Sequence, residues 1–372
     1  MSEAAAEARV DGEGQATEET GAIWQSVIDR ARRAVGDDDE PGLIALDDEI
    51  RAMMELPRRE IRRGLPLLTL YRSLIVWARD REFEVPFDNM QAAKMQNCEL
   101  DAYCPDVKYH LRFLDEAVER YGESRGFRMF QRILSTIGDA RSPSSLNDER
   151  THDVQIRRRP NAKMTIVGFA GNNDKFAGVR WRLFDRAIAA PLNANLVVLR
   201  DHNRRLYLAG IKSLGDHDTS IAKMREILSE FSDTRIVAAG GSSGGFGAMH
   251  FAADLGIRHV VVFSGPTSVE VGEDNEDRQI YRRIGLDIEA GRYPRPDLPA
   301  KVEASAIESI EFFVAGQHEF DMAQLDALRS RCDKVNARIY PDLSGHVVTD
   351  YAIEDRSIFE AFRAGSQATG LA

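Results

Sequence analysis

Residues 235–249, Arg-Ile-Val-Ala-Ala-Gly-Gly-Ser-Ser-Gly-Gly-Phe-Gly-Ala-Met, decide the fold of the part of the chain in which they lie. The apolar run Arg235–Ala239 predicts a buried strand, and the residues from about Phe246 onward predict a helix. Between them lies a Gly-x-Ser-x-Gly pattern, which at a strand-to-helix turn is the nucleophile elbow of serine enzymes. The alternative is a phosphate-binding glycine loop, but the Gly-x-Gly-x-x-Gly spacing is not met and no Lys-Ser or Lys-Thr pair follows. The stretch therefore predicts a nucleophilic serine.

The motif fits in two registers, because two serines stand side by side between pairs of glycines. In one register Gly240 follows the strand directly and Ser242 is the nucleophile. In the other register, one residue later, Ser243 takes that role. The elbow is a sharp turn rather than a loop, so the register that needs fewer turn residues is favoured. We predict Ser242 as the nucleophile and keep Ser243 as the alternative.

Short runs rich in Val and Ile alternate with helix-period segments from about Pro160 onward, a pattern typical of parallel βαβ units. The predicted strands are Met164–Phe169, Leu196–Leu199, Arg235–Ala239, Val260–Phe263, Ile310–Val314 and Ala337–Tyr340. The predicted helices lie near Val179–Ala189, Ser220–Phe231, Phe246–Leu255, Met322–Arg331 and Ile353–Arg363. Continuously apolar strands indicate a sheet covered on both faces. The predicted fold class is α/β, with a doubly wound, mostly parallel sheet.

A nucleophilic serine needs an acid and a base, which follow it along the chain in that order. His346 comes after the last predicted strand, directly behind a glycine, and is the candidate general base. The loop after the preceding strand carries Glu319 and Asp321. We favour Glu319 as the acid because it lies nearer the strand end, with Asp321 as the alternative. The carboxylate that is not used would suit the first turn of the following helix.

Two backbone N–H groups are needed to stabilise the oxyanion that forms when the serine attacks a carbonyl. One is expected from the residue after the nucleophile, which is Ser243, or Gly244 in the other register. The second is expected from the turn that follows the first strong strand, at Ala170 or Gly171. A plain Gly-Asn turn without a catalytic role is the equally weighted alternative for that segment.

A polar cluster begins where the strand Leu196–Leu199 ends. Ligands of open α/β sheets bind beyond the carboxyl ends of the strands. Arg200, Asp201 and Tyr207 are therefore candidates for substrate contact. The competing interpretation, a structural or solvated ion pair, is slightly favoured.

Composition divides the chain into four segments. Residues 1–20 have almost no large apolar side chains and are predicted to be a disordered acidic tail. Residues 21–140 show helical periodicity, and residues 141–160 form a polar connector in which no strand is predicted. Residues 161–372 are the α/β part. Within it, residues 268–301 are long, charged and contain three prolines, which predicts a lid or excursion over one end of the sheet.

Charge and cysteine content narrow the possible partners. The net charge of -11 and the pI of about 5.4 argue against affinity for nucleic acid or anionic membranes. No apolar run approaches the roughly 18–20 residues of a transmembrane helix, and the start lacks the pattern of a signal peptide, so a cytoplasmic location is expected. Cys98 and Cys104 have no second pair of ligands at metal-binding spacing, and Cys332 stands alone. We expect no metal and no cofactor.

Similarity to bacterial serine α/β-hydrolase-fold proteins is carried by three runs, Val197–Asp201, Tyr207–Gly210 and Gly240–Met249. The last resembles the esterase form Gly-x-Ser-x-Gly-Gly-x-Gly-Ala. The resemblance covers about Lys163–Arg363 and implies that Ser242, Glu319 and His346 are nucleophile, acid and base. In that family the acid is more often Asp, and two further strands open the sheet. Those strands are either missing here, which would shorten the sheet, or hidden near Asp153–Arg157.

The function predicted from these residues is that of a serine hydrolase or acyltransferase. Its substrate would be a small-molecule, glycan or lipid ester, and it would act through a Ser-His-acid triad and an acyl-enzyme. The alternative is a binding or assembly protein that retains the fold without turnover; peptidase action ranks below both. The helical N-terminal region is a candidate for oligomerisation.

Overall fold

The computed structural model describes residues 21–103, 106–137, 146, 152–269 and 278–364. The chain separates into two compact units, Met1–Pro143 and Ser144–Ala372. The predicted disordered tail, residues 1–20, lies outside the described residues.

The first unit is helical where it is described, which confirms that expectation. Its helices are α1 (residues 21–36), α2 (Glu40–Ala45), α3 (Asp47–Met54), α4 (Arg58–Ile61), α5 (Leu65–Asp80), α6 (Met90–Tyr103), α7 (Val107–Tyr121) and α8 (Arg125–Ile137). Apolar residues recur every three or four positions along the longer helices, so that one face of each helix is buried. Leu74 and Ile75 of α5 and Phe113 of α7 are almost completely buried. Arg32, near the end of α1, pairs with Glu99 of α6 at 2.8 Å.

The second unit is built on a seven-stranded sheet. Its strands are β1 (Val154–Arg157), β2 (Met164–Phe169), β3 (Ala194–Leu199), β4 (Arg235–Gly241), β5 (His259–Phe263), β6 (Ser309–Ala315) and β7 (Val335–Tyr340), in the order β1-β3-β2-β4-β5-β6-β7. Strand β1 runs antiparallel to β3, and the other neighbours are parallel. All six predicted strands are present. The predicted fold class, a doubly wound and mostly parallel sheet of the α/β-hydrolase type, is confirmed.

Helices connect and cover these strands. They are α9 (Trp181–Phe184), α10 (His217–Ser229), α11 (Ser243–Leu255), α12 (Arg278–Glu289), α13 (Leu298–Glu303), α14 (Glu319–Arg329), α15 (Thr349–Glu354) and α16 (Ser357–Arg363). Helix α9 continues into a π-helical turn, Asp185–Ala189. Every residue of β2, β3 and β5 is buried, as expected for strands covered on both faces.

Two expectations about the boundaries of this unit were wrong. The connector predicted at residues 141–160 contains the edge strand β1, one of the two possibilities left open for Asp153–Arg157. Its sequence, Val-Gln-Ile-Arg, lacks the apolar run by which the other strands were recognised, and Ile156 is exposed. The predicted lid, residues 268–301, contains α12 and α13 where it is described. Ile284 and Val302 are fully buried in the main core, so these helices belong to the body of the unit.

Parallel pairing determines where the candidate site residues lie. Strands β2, β4, β5, β6 and β7 all point the same way, so the segments that follow them emerge at one edge of the sheet. Ser242 follows β4, Asp321 lies in the helix after β6, and His346 lies in the loop after β7. This topology brings together residues that are far apart in the sequence.

Candidate active site

Ser242 occupies a strained turn between β4 and α11. Its backbone has φ 54° and ψ -132°, a combination with positive φ that is uncommon for any residue except glycine. Its N–H donates to the carbonyl of Phe263 at 2.9 Å, and its own carbonyl accepts the N–H of Gly245 at 2.8 Å. The side chain is half-buried. The strand and the helix therefore hold the strained residue from both sides.

The glycines around Ser242 are required by close backbone packing. A Cβ at Gly240 would overlap the carbonyl of Gly244, and a Cβ at Gly244 would overlap the carbonyl of Phe169. These two positions are the flanking glycines of the register that makes Ser242 the nucleophile. Ser243 is the first residue of α11 and is buried, with 3% of its surface exposed.

His346 faces a buried carboxylate. Its Nδ1 lies 2.8 Å from Oδ2 and 3.0 Å from Oδ1 of Asp321, a residue only 1% exposed. A histidine held through Nδ1 keeps Nε2 for proton transfer. The preference for Glu319 as this partner was wrong. Glu319 is the first residue of α14 and is exposed, whereas Asp321, two residues further into the first turn, points inward. Proximity to the strand end was the misleading criterion, because α14 begins immediately and its helical turn decides which carboxylate faces His346.

His318 also contacts this carboxylate, although no role was predicted for it. It is the N-cap residue of α14, and its Nδ1 lies 3.3 Å from the backbone N of Asp321 and 3.0 Å from Oδ2 of the same residue. The tautomer decides whether Nδ1 accepts from the N–H or donates to the carboxylate. His318 stands three residues before Asp321 at the predicted start of a helix. This spacing could have indicated an N-cap position for His318.

The candidate oxyanion donors divide into two groups. Ser243 and Gly244 open α11, and the first N–H groups of a helix have no acceptor within the helix. Ala170 and Gly171, by contrast, use their N–H groups elsewhere. That of Ala170 donates to Leu199 O at 2.9 Å, extending the β2–β3 ladder, and that of Gly171 donates to Lys175 O at 2.9 Å, closing the turn. The expectation of a second donor at either residue was wrong.

A cavity of about 190 Å³ lies at Ser242 and His346. Its remaining lining consists of Gly171, Asn172, Asn173, Ala177, Gly178, Gly241, Phe263 and Val347. The two asparagines lie in the turn from which a second oxyanion donor was expected, one and two residues beyond Gly171. They were missed because Asn after Gly is also the ordinary composition of a plain turn.

Arg200, Asp201 and Tyr207 build the loop after β3 and are absent from the lining of this cavity. Arg200 is fully buried and its Nη1 donates to the carbonyl of His152 at 2.7 Å. The Asp201 carboxylate accepts the Tyr207 N–H at 2.9 Å. The Tyr207 hydroxyl donates to the carbonyls of Ala170 and Leu199, at 2.8 and 3.0 Å. The substrate-contact interpretation of these three residues was wrong, and the structural one describes them.

Burial changes the ionisation of two of these loop residues. It raises the pKa of Asp201 above its ordinary value, against the opposing effect of backbone hydrogen bonds from Tyr207 and Arg205. Burial also raises the pKa of the Tyr207 phenol well above its ordinary value, with the nearby Asp201 carboxylate acting in the same direction. Tyr207 therefore stays protonated and serves as a hydrogen-bond donor.

Two groups of side chains have the composition of metal ligands, within the described ranges. One is His318, Asp321 and His346. The other is His217, His250 and Asp254, where Lys301 Nζ lies 2.6 Å from Asp254 Oδ2 and 2.9 Å from His250 Nδ1. In the second group the lysine ammonium occupies the position between these two donors that a cation would take.

Comparison with solved structures gives matches of low similarity. No protein-family model matches the chain, and no curated protein matches it. A capsule O-acetyltransferase of Neisseria meningitidis serogroup A is 12% identical, with a TM-score of 0.42 over 57% of this chain and 92% of that one. A carboxylesterase of Nitrososphaera gargenis is 14% identical, with a TM-score of 0.40 over 58% of this chain and 95% of that one. A 2,6-dihydroxy-pseudo-oxynicotine hydrolase is 12% identical, with a TM-score of 0.46 over 94% and 89%. Likeness at this level assigns no activity to this chain.

None of the helices in the described parts of the chain combines the length and the apolar character needed to cross a membrane.

Proposed function

We propose that this chain is a serine-dependent hydrolase or acyltransferase that acts on an ester through an acyl-enzyme intermediate. One observation carries the proposal. Ser242, in a strained strand-to-helix turn, lines the same cavity as His346, whose Nδ1 faces the buried carboxylate of Asp321. A serine hydroxyl is a weak nucleophile until a positioned base takes its proton, and the base needs a partner that fixes its tautomer.

In the first half-reaction, Ser242 Oγ attacks the ester carbonyl while His346 Nε2 takes its proton. A bond forms between Oγ and the carbonyl carbon, and the carbonyl π electrons move to the oxygen. When the tetrahedral intermediate collapses, the bond to the alcohol oxygen breaks and His346 returns the proton to that oxygen. Asp321 holds the imidazole through Nδ1 and stabilises the imidazolium that forms in between.

The oxyanion requires preorganised donors, which would act in a partly enclosed site. We assign this role to the N–H groups of Ser243 and Gly244, supported by the partial positive charge at the start of α11. Asn172 and Asn173, which line the cavity, are the candidates for the second donor. The Asn173 carboxamide oxygen accepts the Lys175 N–H at 3.2 Å, an arrangement that orients its amide group.

In the second half-reaction, an acceptor oxygen attacks the acyl-enzyme. His346 takes the proton from water or from an alcohol, the new bond to the carbonyl carbon forms, and the bond to Ser242 Oγ breaks as Oγ regains a proton. Water gives a carboxylic acid, and an alcohol gives a new ester. Hydrolysis and acyl transfer share every group named above and differ only in the acceptor.

Labelling with a fluorophosphonate probe tests the proposal, because such probes bind covalently to activated serines. The adduct would be mapped by peptide mass spectrometry in the wild type and in Ser242→Ala, Ser243→Ala and His346→Ala. We expect the label on Ser242, its loss in Ser242→Ala, its strong reduction in His346→Ala, and its retention in Ser243→Ala.

The outcome separates the proposal from its competitors. A label on Ser243 would move the nucleophile by one residue. No label on a protein shown to be folded by circular dichroism would contradict the catalytic proposal and favour a non-catalytic binding role.

A further inference from the structure

The cavity at Ser242 is small compared with the sites that hold large ligands. Its volume is about 190 Å³. Sites for drug-sized ligands span roughly 300–1,000 Å³. In an acyl-enzyme the acyl group stays attached to the serine while the alcohol leaves. The acyl group is therefore the part of the substrate that must fit here.

The residues that line the cavity are tightly packed, so the cavity cannot widen easily. Ala177 packs so closely on Gly241 that a Cβ at Gly241 would overlap its side chain, and the Ala177 carbonyl accepts the Thr349 hydroxyl at 3.0 Å. The Phe263 ring stacks on Phe313 with centroids 4.5 Å apart and planes 11° from parallel. Such contacts have the density of a protein core, where added volume forces strained side chains or backbone shifts.

A third wall is formed by Val347, the residue directly after His346. It is half-buried, and a Cβ added at Gly178 would lie 2.9 Å from its Cγ1. Val347 therefore packs against the bare backbone of Gly178 and closes one side of the cavity. Shortening this side chain would add volume next to the reacting serine without changing any group that moves a proton.

The lining also restricts the charge of the acyl group. Among the described residues that form it, His346 is the one with an ionisable side chain, and Lys, Arg, Asp and Glu are absent. A carboxylate or ammonium on the acyl chain would lose water without gaining an opposite charge. Uncharged polar side chains also line the cavity, at Asn172 and Asn173.

We propose that this cavity is an acyl site for a short, uncharged group of two or three carbons, acetyl or propionyl, with Val347 setting the upper limit. This inference rests on the proposed function and specifies its substrate class by the acyl part. The alcohol part is left outside the cavity and is not restricted by this argument.

The test is a series of p-nitrophenyl esters, acetate, butyrate, hexanoate and octanoate, hydrolysed by the full chain. We expect kcat/KM to fall by at least about 100-fold from acetate to octanoate, because misfit of a single methylene group can cost about tenfold. Val347→Ala should raise the butyrate-to-acetate ratio by about tenfold. The matched control is Val335→Ala, at the start of β7 and outside the cavity lining, which should leave the ratio unchanged.

The possible results distinguish the two proposals. Octanoate turned over as well as acetate, or an unchanged ratio in a folded Val347→Ala variant, would overturn the short-acyl site while leaving the serine mechanism intact. The wild-type ester series alone decides whether the site prefers short acyl groups, so this part of the test does not require a folded variant. No turnover of any ester, together with no fluorophosphonate label on Ser242, would overturn the proposed function and this inference with it.

Discussion

At the scale of single residues, the site depends on how one turn of helix orients two carboxylates. Asp321 and Glu319 are two positions apart in the first turn of α14, so their side chains point in different directions. One is 1% exposed and contacts His346, and the other is exposed to solvent. A buried carboxylate can hold an imidazole tautomer at lower dielectric, whereas an exposed one is screened by water.

The two carboxylates provide a matched pair of variants. We expect Asp321→Asn to lower kcat by about 10³- to 10⁴-fold, because the amide favours the wrong tautomer of His346. Glu319→Gln removes the same charge two residues away and should leave kcat within about twofold. Steady-state kinetics on p-nitrophenyl acetate measures both. Equal losses in the two variants would contradict the assignment of Asp321.

The sequence was sufficient to predict Ser242 and His346 as candidates, because each is marked by glycines next to a strand end. It was not sufficient to choose between Glu319 and Asp321, which differ only in where α14 begins. The sequence also could not show that the N–H groups of Ala170 and Gly171 are already used. Their hydrogen bonds depend on the pairing of β2 with β3 and on the turn to Lys175. These properties arise from tertiary contacts and leave no local pattern.

At the scale of elements, the loop after β3 packs against α11, the helix that follows Ser242. The Tyr207 ring packs so closely on Gly247 of α11 that a Cβ at Gly247 would overlap it. Its hydroxyl donates to carbonyls at the ends of β2 and β3. The run Tyr207–Gly210 resembles that of known hydrolases, and in this structure its tyrosine ties two strands and a helix together. The substrate-contact interpretation came from the position of this loop at a strand end, and the structural interpretation, which was slightly favoured, describes Tyr207.

Removing the Tyr207 hydroxyl should therefore affect stability more than substrate binding. Tyr207→Phe removes the hydroxyl donor from the buried Ala170 carbonyl, whereas the Leu199 carbonyl still accepts the Ala170 N–H. We expect a loss of about 1–3 kcal/mol in the free energy of unfolding. KM should remain within about twofold. Urea unfolding and steady-state kinetics test the two parts, with Tyr293→Phe, a half-buried tyrosine, as the control. A large rise in KM at unchanged stability would restore the substrate-contact interpretation.

The strands were the most predictable elements, because continuous apolar runs mark them directly. Strand β1 escaped prediction because an edge strand covered on one side shows no such run. Helices α12 and α13 were interpreted as a lid, because charge and prolines dominate that segment and hide the apolar positions at Ile284 and Val302. A few buried apolar residues at helical spacing are sufficient to attach a helix to a core. The average composition of a segment does not show such residues.

At the scale of the whole molecule, a cluster of ionisable side chains around the buried His250 should make stability depend on pH. It joins α10, α11 and α13 through His217, His250, Asp254 and Lys301. Burial, together with the positive charge of Lys301, lowers the pKa of His250 from 6.5 to about 3. Burial would raise the pKa of Asp254, but hydrogen bonds from His217 and Lys301 outweigh it and lower that pKa from 3.8 to about 2.

Both shifts destabilise the fold in acid. Below pH 6.5 the unfolded chain protonates His250, whereas the folded chain resists protonation until about pH 3, so unfolding becomes more favourable across that window. The stabilisation from Asp254 is complete above pH 3.8 and is lost as the pH falls towards 2. We expect the Tm to fall between about pH 7 and pH 4, and His250→Gln to reduce that slope. The exposed His152→Gln is the control, and an identical slope in His250→Gln would contradict the account.

In the proposed mechanism Ser242 carries the acyl group during turnover, and this intermediate can be trapped. The full chain would be mixed with p-nitrophenyl acetate, quenched in acid during the first turnovers, and analysed by intact mass and peptide mapping. We predict one acetyl group, on Ser242, absent from Ser242→Ala. Asp321→Asn should acquire it more slowly. An acetyl group on a different residue, or turnover of the ester with Ser242 replaced by Ala at the wild-type rate, would contradict the account.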